Sequence, residues 1–444
     1  MNSALLQAWE RIVRRQGAKR AVVQATDGAT ATFEELDARA TAWCRRHVPN
    51  SARLAGRVVV FAAPNGIGWL EIFLGLLKAG AVAAPLDAAE PPLAQRRLAQ
   101  ALRAGAWWDG TRLEELPGAR RHRDPAICLL KLTSGSSGTP RALGFTGQQL
   151  LADGRQVTST MGIRPRDLNY ALIPLGHSYG LGNLTVPLLA QGVPLVCGSA
   201  ALPHAIAADF ARWRPTVFPG VPAIWRALVA SDLTLPGLRL GISAGSPLPP
   251  EVAHAFAARF GRRLHSFYGS SETGGIAYDR SGAGALAGTV GRALRGVQLR
   301  LRPGARLEVS SAAVRILGNR RRVGRHGTWL MPDRVALGGG GEVTVLGRRG
   351  STVKIAGRRV NLAEVSDRLR RIPGVRDIWV GVSAGTEPVL GAAVAADRTA
   401  AELRALLLAD TAPWKIPRRL LVMPALPVTA RGKADARALR TLVF

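Results

Sequence analysis

The sequence predicts an α/β protein: a large N-terminal domain of mostly parallel sheets flanked by helices, joined to a small α+β C-terminal domain. Three observations predict it. Short β-branched runs alternate with helical periodicities along most of the 444 residues, the pattern of strand–helix–strand crossovers. Apolar residues make up 47% of the chain, enough for a large buried core. Near residue 350 the pattern changes to a compact unit of roughly 95 residues, a domain-sized length.

Taken in order, MNSALLQAWERIVRRQG reads as an amphipathic helix. It lacks the long apolar run and small-residue cleavage site of a signal peptide. RVVVFAA (57–63) reads as a strand followed by a helix over 67–79. The apolar stretch 58–86 is broken by Pro64, Asn65, Glu71 and Lys78, so a buried core suits it better than a membrane span. ICLLKLT (127–133) is a strand entering a glycine loop, and Thr146 with Gln149 forms a capping box for a helix over 147–160. NYALIPL (169–175), VPLVCGS (193–199), TVFPGVP (216–222) and LRLGISA (238–244) are further strands. GEVTVLGRR is a strand and turn, and the hinge falls at Arg349–Gly350. Beyond it the pattern predicts a strand over 352–356, a helix over 361–371, and strands over 377–383 and 389–396. A helix over 400–409 follows, capped by Thr399 with Glu402, and then a strand near 419–423.

The formal net charge is +30. Six of the 60 basic residues are lysines, and the arginines are spread along the whole chain. Dispersed Arg without basic–aromatic clusters argues against a nucleic-acid binder. A solvated basic surface is the plainer reading, with attraction of an anionic partner (nucleotide, coenzyme A or an acidic carrier protein) as the other. Cys44, Cys128 and Cys197 lie far apart. That spacing argues against a disulfide framework or zinc ribbon and for a reducing, cytoplasmic compartment.

The strongest single motif is Thr133-Ser-Gly-Ser-Ser-Gly-Thr-Pro-Arg141, directly after a buried strand. Gly135 and Gly138 allow a tight turn that exposes N–H groups. Thr133, Ser134, Ser136, Ser137 and Thr139 add hydroxyls, and Arg141 adds a fixed positive charge. Such a loop suits a polyphosphate. It lacks the GxxxxGK[ST] spacing, and a Ser/Gly/Thr run alone is more often a plain loop.

Read with the rest of the chain, the motif order resembles the adenylate-forming superfamily of acyl- and aryl-CoA synthetases, peptide-synthetase adenylation domains and luciferases. FLGLLKAGAVAAPLD (73–87) looks like its segment before the phosphate loop, and TSGSSGTPRA like the loop itself. PLGHSYGLGN (174–183) looks like its aromatic or histidine gate. SAGSPLPPEV (243–252) and FYGSSETGG (267–275) are similar to its adenine and magnesium motifs. WLMPD (329–333) falls at its ribose aspartate, GRRGSTVKIAGRRVNLAEV (347–365) at its hinge and PVTARGKADAR (427–437) at its catalytic lysine. These matches run in order from residue 73 to 437.

The resemblance implies an ATP- and Mg²⁺-dependent ligase that makes an acyl-adenylate from a small-molecule carboxylic acid and passes the acyl group to a thiol. Glu272 would hold Mg²⁺ against the phosphates, and Ser271 would contact the α-phosphate. Tyr268, with Gly269 beside it, would stack on adenine opposite Gly245, Ser246 and Pro247. Asp333 would accept the ribose hydroxyls, with Arg348 supporting the sugar. Lys433 would bridge carboxylate and α-phosphate. His177 matches the gate, and Tyr179, Asn183 and Val221 match positions that line the acyl pocket. A Tyr hydroxyl and an Asn amide there would suit a polar ring substituent. After adenylation the small domain would rotate at Gly350, withdraw Lys433 and present Lys354 and Gly357 to a pantetheine thiol. The acceptor would be coenzyme A or the phosphopantetheine of an acidic acyl carrier protein.

Several positions depart from the family pattern. Arg141 replaces a lysine, Met331-Pro332-Asp333 replaces Thr-Gly-Asp, Gly350 replaces a hinge acid or lysine, and Ser271 stands where Thr is usual. Arg keeps the charge of Lys but is a planar fork. A rival reading exists too. Gly176-His-Ser-Tyr-Gly180 fits G-x-S-x-G, the nucleophile elbow of α/β-hydrolases, and Ser178, Asp232 and His265 supply a triad in the right chain order.

Overall fold

The computed structural model describes residues 3–118, 120–133, 141–314, 327–348, 352–385, 387–427 and 434–444. The chain divides into two compact units. One comprises Met1–Ala88, Ala99–Lys131 and Ala142–Arg349, and the other Ala89–Leu98, Leu132–Arg141 and Gly350–Phe444. The architecture is α/β with mixed sheets, and a separate smaller sheet domain lies at the C-terminal end.

The larger unit is built on a nine-stranded sheet. Its order runs Arg292–Ala293, Gly274–Tyr278, Leu264–Ser270, Leu240–Ser243, Val217–Gly220, Asn169–Ala171, Leu195–Cys197, Arg20–Gln24, Thr30–Thr32. The central strands are parallel and the outer pairs antiparallel. A second sheet has the parallel strands Val58–Ala62 and Val82–Leu86 at its centre. Strands buried on both faces carry apolar side chains both ways, which is why these runs are continuously hydrophobic. Trp9, Trp69 and Trp225 are among the largest fully buried side chains.

Local signals act as their chemistry requires. The N-terminal helix Ala4–Gln16 starts at Ser3, whose Oγ accepts from Leu6 N at 3.2 Å, and buries Leu5, Leu6, Trp9 and Ile12. Both predicted capping boxes are present, at helix Gly147–Met161 through Thr146 and Gln149 and at helix Ala400–Leu408 through Thr399 and Glu402. Each satisfies two backbone donors that a helix end otherwise leaves unpaired.

One expectation is corrected. The predicted strand over 169–175 is only Asn169–Ala171. Beyond it the Asn65 side chain takes the place of a neighbouring strand. Its Nδ2 donates to Ala171 O (3.2 Å) and Ile173 O (2.8 Å), while its Oδ1 accepts from Leu175 N at 2.9 Å. Asp333 lies inside the strand Gly327–Leu337 of an antiparallel four-stranded sheet with Gln298–Arg302, Arg306–Ser311 and Val343–Arg348. Pro332 removes a ladder donor and reads as a strand breaker. The sheet absorbs it with register shifts between Arg306 and Glu308 and between Arg334 and Val335.

The smaller unit holds the hairpin Thr352–Ile355 and Arg358–Asn361. It also holds a three-stranded sheet of Val375–Val382, Leu390–Ala396 and Arg419–Met423, with helices Leu362–Arg370, Ala400–Leu408 and Ala436–Val443. Among the described residues no helix is long and apolar enough to cross a membrane.

Burial pushes the thiols of Cys128 and Cys197 up to about 12, whereas Cys44 is only half-buried. Thiolate is the reactive form. Near neutral pH, an aromatic disulfide reagent is therefore expected to modify at most one of the three cysteines in the native protein and all three after denaturation. Fast reaction of two or more native thiols would contradict this packing.

Candidate active site

Ligands of open parallel sheets bind beyond the carboxyl ends of the strands. Strands Val217–Gly220 and Leu240–Ser243 end level, with Gly220 opposite Ser243. Trp225 lies against Gly220 so closely that a Cβ there would stand 2.9 Å from the indole, so only glycine admits the ring. Val221, the next residue, packs on the hydrophobic cluster that contains Trp69, Phe73 and Leu181.

His177 precedes the short helix Ser178–Gly180 and is exposed. Tyr179 sends its hydroxyl to Gly220 O (3.2 Å) and Ile242 O (3.3 Å), pinning the helix to both strand ends. Burial of that hydroxyl raises its pKa well above the ordinary tyrosine value. The next turn, Leu181–Thr185, is π-helical, a form frequent at functional sites. There Asn183 is buried. Its Nδ2 donates to Tyr179 O at 3.2 Å, and among the described residues its Oδ1 has no hydrogen-bond partner. The Tyr179 hydroxyl is turned to the two carbonyls, while Asn183 keeps a buried acceptor unpaired.

On strand Leu264–Ser270, Tyr268 is buried in the hydrophobic cluster that also contains Ile242, Phe267 and Met331, and its hydroxyl donates to Asp333 Oδ2 at 2.6 Å. Asp333 is itself buried, and its backbone pairs with Arg348 across the sheet. The predicted adenine and ribose residues are thus in direct contact, although 65 positions separate them. Gly245 turns with φ +95° after strand Leu240–Ser243. Gly245 and Ser246 are half-buried and Pro247 is exposed.

Strand Leu264–Ser270 ends with Ser270 opposite Gly274, with Gly269 opposite Gly275 one pair before it, and a turn carrying Ser271 and Glu272 follows. Ser178 Oγ donates to Ser271 Oγ at 2.8 Å, joining the segment after His177 to this turn. Glu272 is half-buried. Among the described residues no group of three or more His, Cys, Asp or Glu is positioned for a metal. Mg²⁺ is commonly held by one or two carboxylates plus substrate phosphates and waters. Glu272 would hold it here.

Sequence reasoning missed three residues behind these groups. Asn65 braces the loop before His177, as described above. Asp153 Oδ1 accepts from Gly275 N at 2.9 Å beneath the Glu272 turn. Lys131, buried on strand Ile127–Thr133, sets its ammonium 4.3 Å above the Phe145 ring, and its charge acts on Asp153 and Glu272. Burial lowers the Lys131 pKa and raises that of Asp153, while their attraction opposes both shifts. A lysine inside an apolar strand was the one signal available.

Thr133 ends strand Ile127–Thr133, and Arg141, exposed, begins strand Arg141–Thr146. Ser134, Gly135, Ser136, Ser137, Gly138 and Thr139 lie outside the described residues, as do Gly350 and Lys433. In the smaller unit Lys354 sits on strand Thr352–Ile355. Ala356 and Gly357, both with positive φ (46° and 81°), form the two-residue turn to Arg358. Such hairpin turns require left-handed backbone, which Gly supplies freely and Ala only under strain.

The hydrolase triad is not assembled. Ser178 bonds Ser271 Oγ, Asp232 pairs with Arg259 at 2.9 Å, and His265 Nδ1 meets Asp279 O at 2.8 Å. The strand before GHSYG ends at Ala171, so the sharp strand-to-helix elbow is absent too.

Residues 9–106 and 105–310 match the AMP-binding enzyme family. The 4-coumarate–CoA ligase of Cereibacter sphaeroides is 29% identical over 311 residues, 68% of each chain. The 2-hydroxy-7-methoxy-5-methyl-1-naphthoate–CoA ligase of Streptomyces carzinostaticus is 30% identical over 355 residues, 72% of this chain and 62% of that protein. Against these two relatives the chain therefore spans roughly two thirds of their length. The o-succinylbenzoate CoA synthetase of Bacillus subtilis shares the fold with a TM-score of 0.83 at 18% identity, covering 98% of both chains. The amide bond synthetase of Marinactinospora thermotolerans does so with a TM-score of 0.82 at 21% identity, covering 98% of this chain and 99% of that one. With its motifs in order and its family match covering more than half its length, the chain belongs to the AMP-binding enzymes of the adenylate-forming superfamily.

Proposed function

We propose that this protein is an AMP-forming acid–thiol ligase that activates an aryl carboxylic acid and transfers it to coenzyme A. The observation that carries the reading is the Tyr268–Asp333 hydrogen bond, which places an aromatic ring and a buried carboxylate together beside the strand ends. An adenosine needs that pair: a flat face for the base and an acceptor for the ribose hydroxyls. Relatives named for coumarate, a naphthoate and benzoate support an aryl acid and coenzyme A.

In the first step the substrate carboxylate attacks the α-phosphorus of ATP, and pyrophosphate leaves. Glu272 would hold Mg²⁺, which when bound would offset phosphate charge. Ser271 and the 133–141 loop with Arg141 bind phosphate oxygens, Gly245, Ser246 and Pro247 face the base, and Arg348 supports the sugar. His177 guards the carboxylate, and Tyr179, Asn183 and Val221 shape the acyl pocket. Lys433 orients the attacking carboxylate. In the second step a thiol attacks the acyl carbon, and AMP leaves. For this the domain following Arg349–Gly350 turns at Gly350 and brings Lys354 and Gly357 to the thiol. Three unpaired cysteines suit a reducing, cytoplasmic compartment.

A carrier protein is the second reading for the acceptor. A peptide synthetase of Salinispora arenicola is 28% identical over 86% of this chain, and a net charge of +30 suits an acidic partner. The test is ATP–pyrophosphate exchange with Mg²⁺ and a panel of benzoates, cinnamates and fatty acids, followed by addition of coenzyme A or a phosphopantetheinylated carrier. Exchange driven by aryl acids, with thioester formed on coenzyme A, is expected. Exchange with none of the acids would overturn the reading, and acylation of the carrier alone would transfer it to the second.

A further inference from the structure

We infer that Asp153, with Lys131 as its counter-charge, is a positioning residue that holds the Glu272 turn at the height where Mg²⁺ is taken up. The inference rests on the reading of Glu272 as the magnesium acid.

Asp153 is buried, 4% exposed, on helix Gly147–Met161. Its Oδ1 accepts the backbone N–H of Gly275, three residues after Glu272. The space around the carboxylate is kept clear by two glycines. A Cβ on Gly274, which stands at φ +69°, would overlap Asp153 Oδ1, and a Cβ on Gly182 would lie 3.0 Å from Oδ2. One carboxylate therefore touches the metal turn on one side and the π-helical turn bearing Asn183 on the other. Lys131, also 4% exposed, lies on the strand that enters the phosphate loop; burial lowers its pKa, and the charges of Asp153 and Glu272 oppose that shift. Buried charges are weak evidence for stability, because desolvation cancels most of their attraction. A neutral core would pack this space without that cost. What Asp153 supplies instead is a fixed acceptor for Gly275, which sets where the Glu272 backbone lies. Groups that orient a metal ligand from behind typically matter 10–100-fold in metal affinity.

The test separates the acceptor from the charge. In the full-length protein, Lys131→Met with Asp153→Asn removes both charges and keeps an oxygen facing Gly275. Lys131→Met with Asp153→Leu removes the oxygen as well. Binding of ATP is titrated calorimetrically against Mg²⁺, and amide hydrogen exchange is followed at Gly275. The Asn double variant is expected to keep wild-type Mg²⁺ dependence and a protected Gly275 amide. The Leu double variant is expected to need about 10-fold more Mg²⁺ for half-saturation, with Gly275 exchanging freely and the KM for the acid unchanged. If the Leu variant does not fold, Ala at 153 with Lys131→Met carries the same expectation. Identical Mg²⁺ dependence in the Asn variant and in the variant lacking the oxygen overturns the inference and leaves Glu272 as the metal acid. Wild-type protein that binds ATP without regard to Mg²⁺ overturns both.

Discussion

Lys433→Ala is expected to lower acid-dependent ATP–pyrophosphate exchange by about 10²–10³-fold, the usual cost of removing one preorganised charge from a transition state. Two anions, the substrate carboxylate and the α-phosphate, must meet for the first step, and nothing in the acyl segment around His177, Tyr179 and Asn183 offers a second positive charge. The variant should still convert a synthetic acyl-adenylate to thioester at close to the wild-type rate, because the proposed rotation at Gly350 removes Lys433 before the thiol attacks. Exchange and single-turnover thiolation measured side by side decide this. Equal losses in both steps would argue against alternating domain positions. Unchanged exchange would remove Lys433 from the chemistry.

Trp225→Ala is expected to cost about 3–5 kcal/mol of unfolding free energy in the larger unit, the range for truncating a buried aromatic. The indole is fully buried. Its ring centroid lies 4.7 Å from that of Phe218 and 5.3 Å from that of Phe256, and the ring underlies Gly220, which is opened for it. Alanine would leave a cavity that Gly220 cannot fill. Trp225→Phe should cost much less, because it keeps the aromatic contacts and discards an indole N–H that is buried without a hydrogen-bond partner among the described residues. Urea unfolding followed by fluorescence and far-UV circular dichroism checks both variants. A loss below about 1 kcal/mol for alanine would mean the floor beneath the strand ends collapses freely. Because Gly220 O also receives the Tyr179 hydroxyl, the alanine variant should raise the KM for the acid as well.

Much of this protein can be read from its residues in order. The alternation of apolar runs set the α/β class, because strands buried on both faces carry mostly apolar side chains. Thr146 with Gln149 and Thr399 with Glu402 marked two helix starts to the residue, since a capping box is a purely local exchange of hydrogen bonds. The motif set from residue 73 to 437 named the superfamily, because phosphate, base and ribose each demand particular residue types.

Other features depended on partners far along the chain. Pro332 hid the strand that carries Asp333, and only the register against Arg306–Ser311 and Val343–Arg348 makes that strand visible. The Tyr179 hydroxyl reads as free for a substrate until Gly220 and Ile242 are folded beside it. Asn65 reads as a turn residue, yet it holds a loop more than a hundred positions away. Asp153 carries no local signal at all and Lys131 only that of a lysine inside an apolar strand; the burial of both, and the contact of Asp153 with Gly275, are products of packing. By itself the sequence determined the fold class, the family and the residue types that can meet a nucleotide, because those follow from local periodicity and side-chain chemistry. Tertiary structure alone decided which hydrogen-bonding groups are already satisfied within the protein and which, like Asn183 Oδ1, have no partner among the described residues, because satisfaction depends on partners that only folding brings within hydrogen-bonding reach.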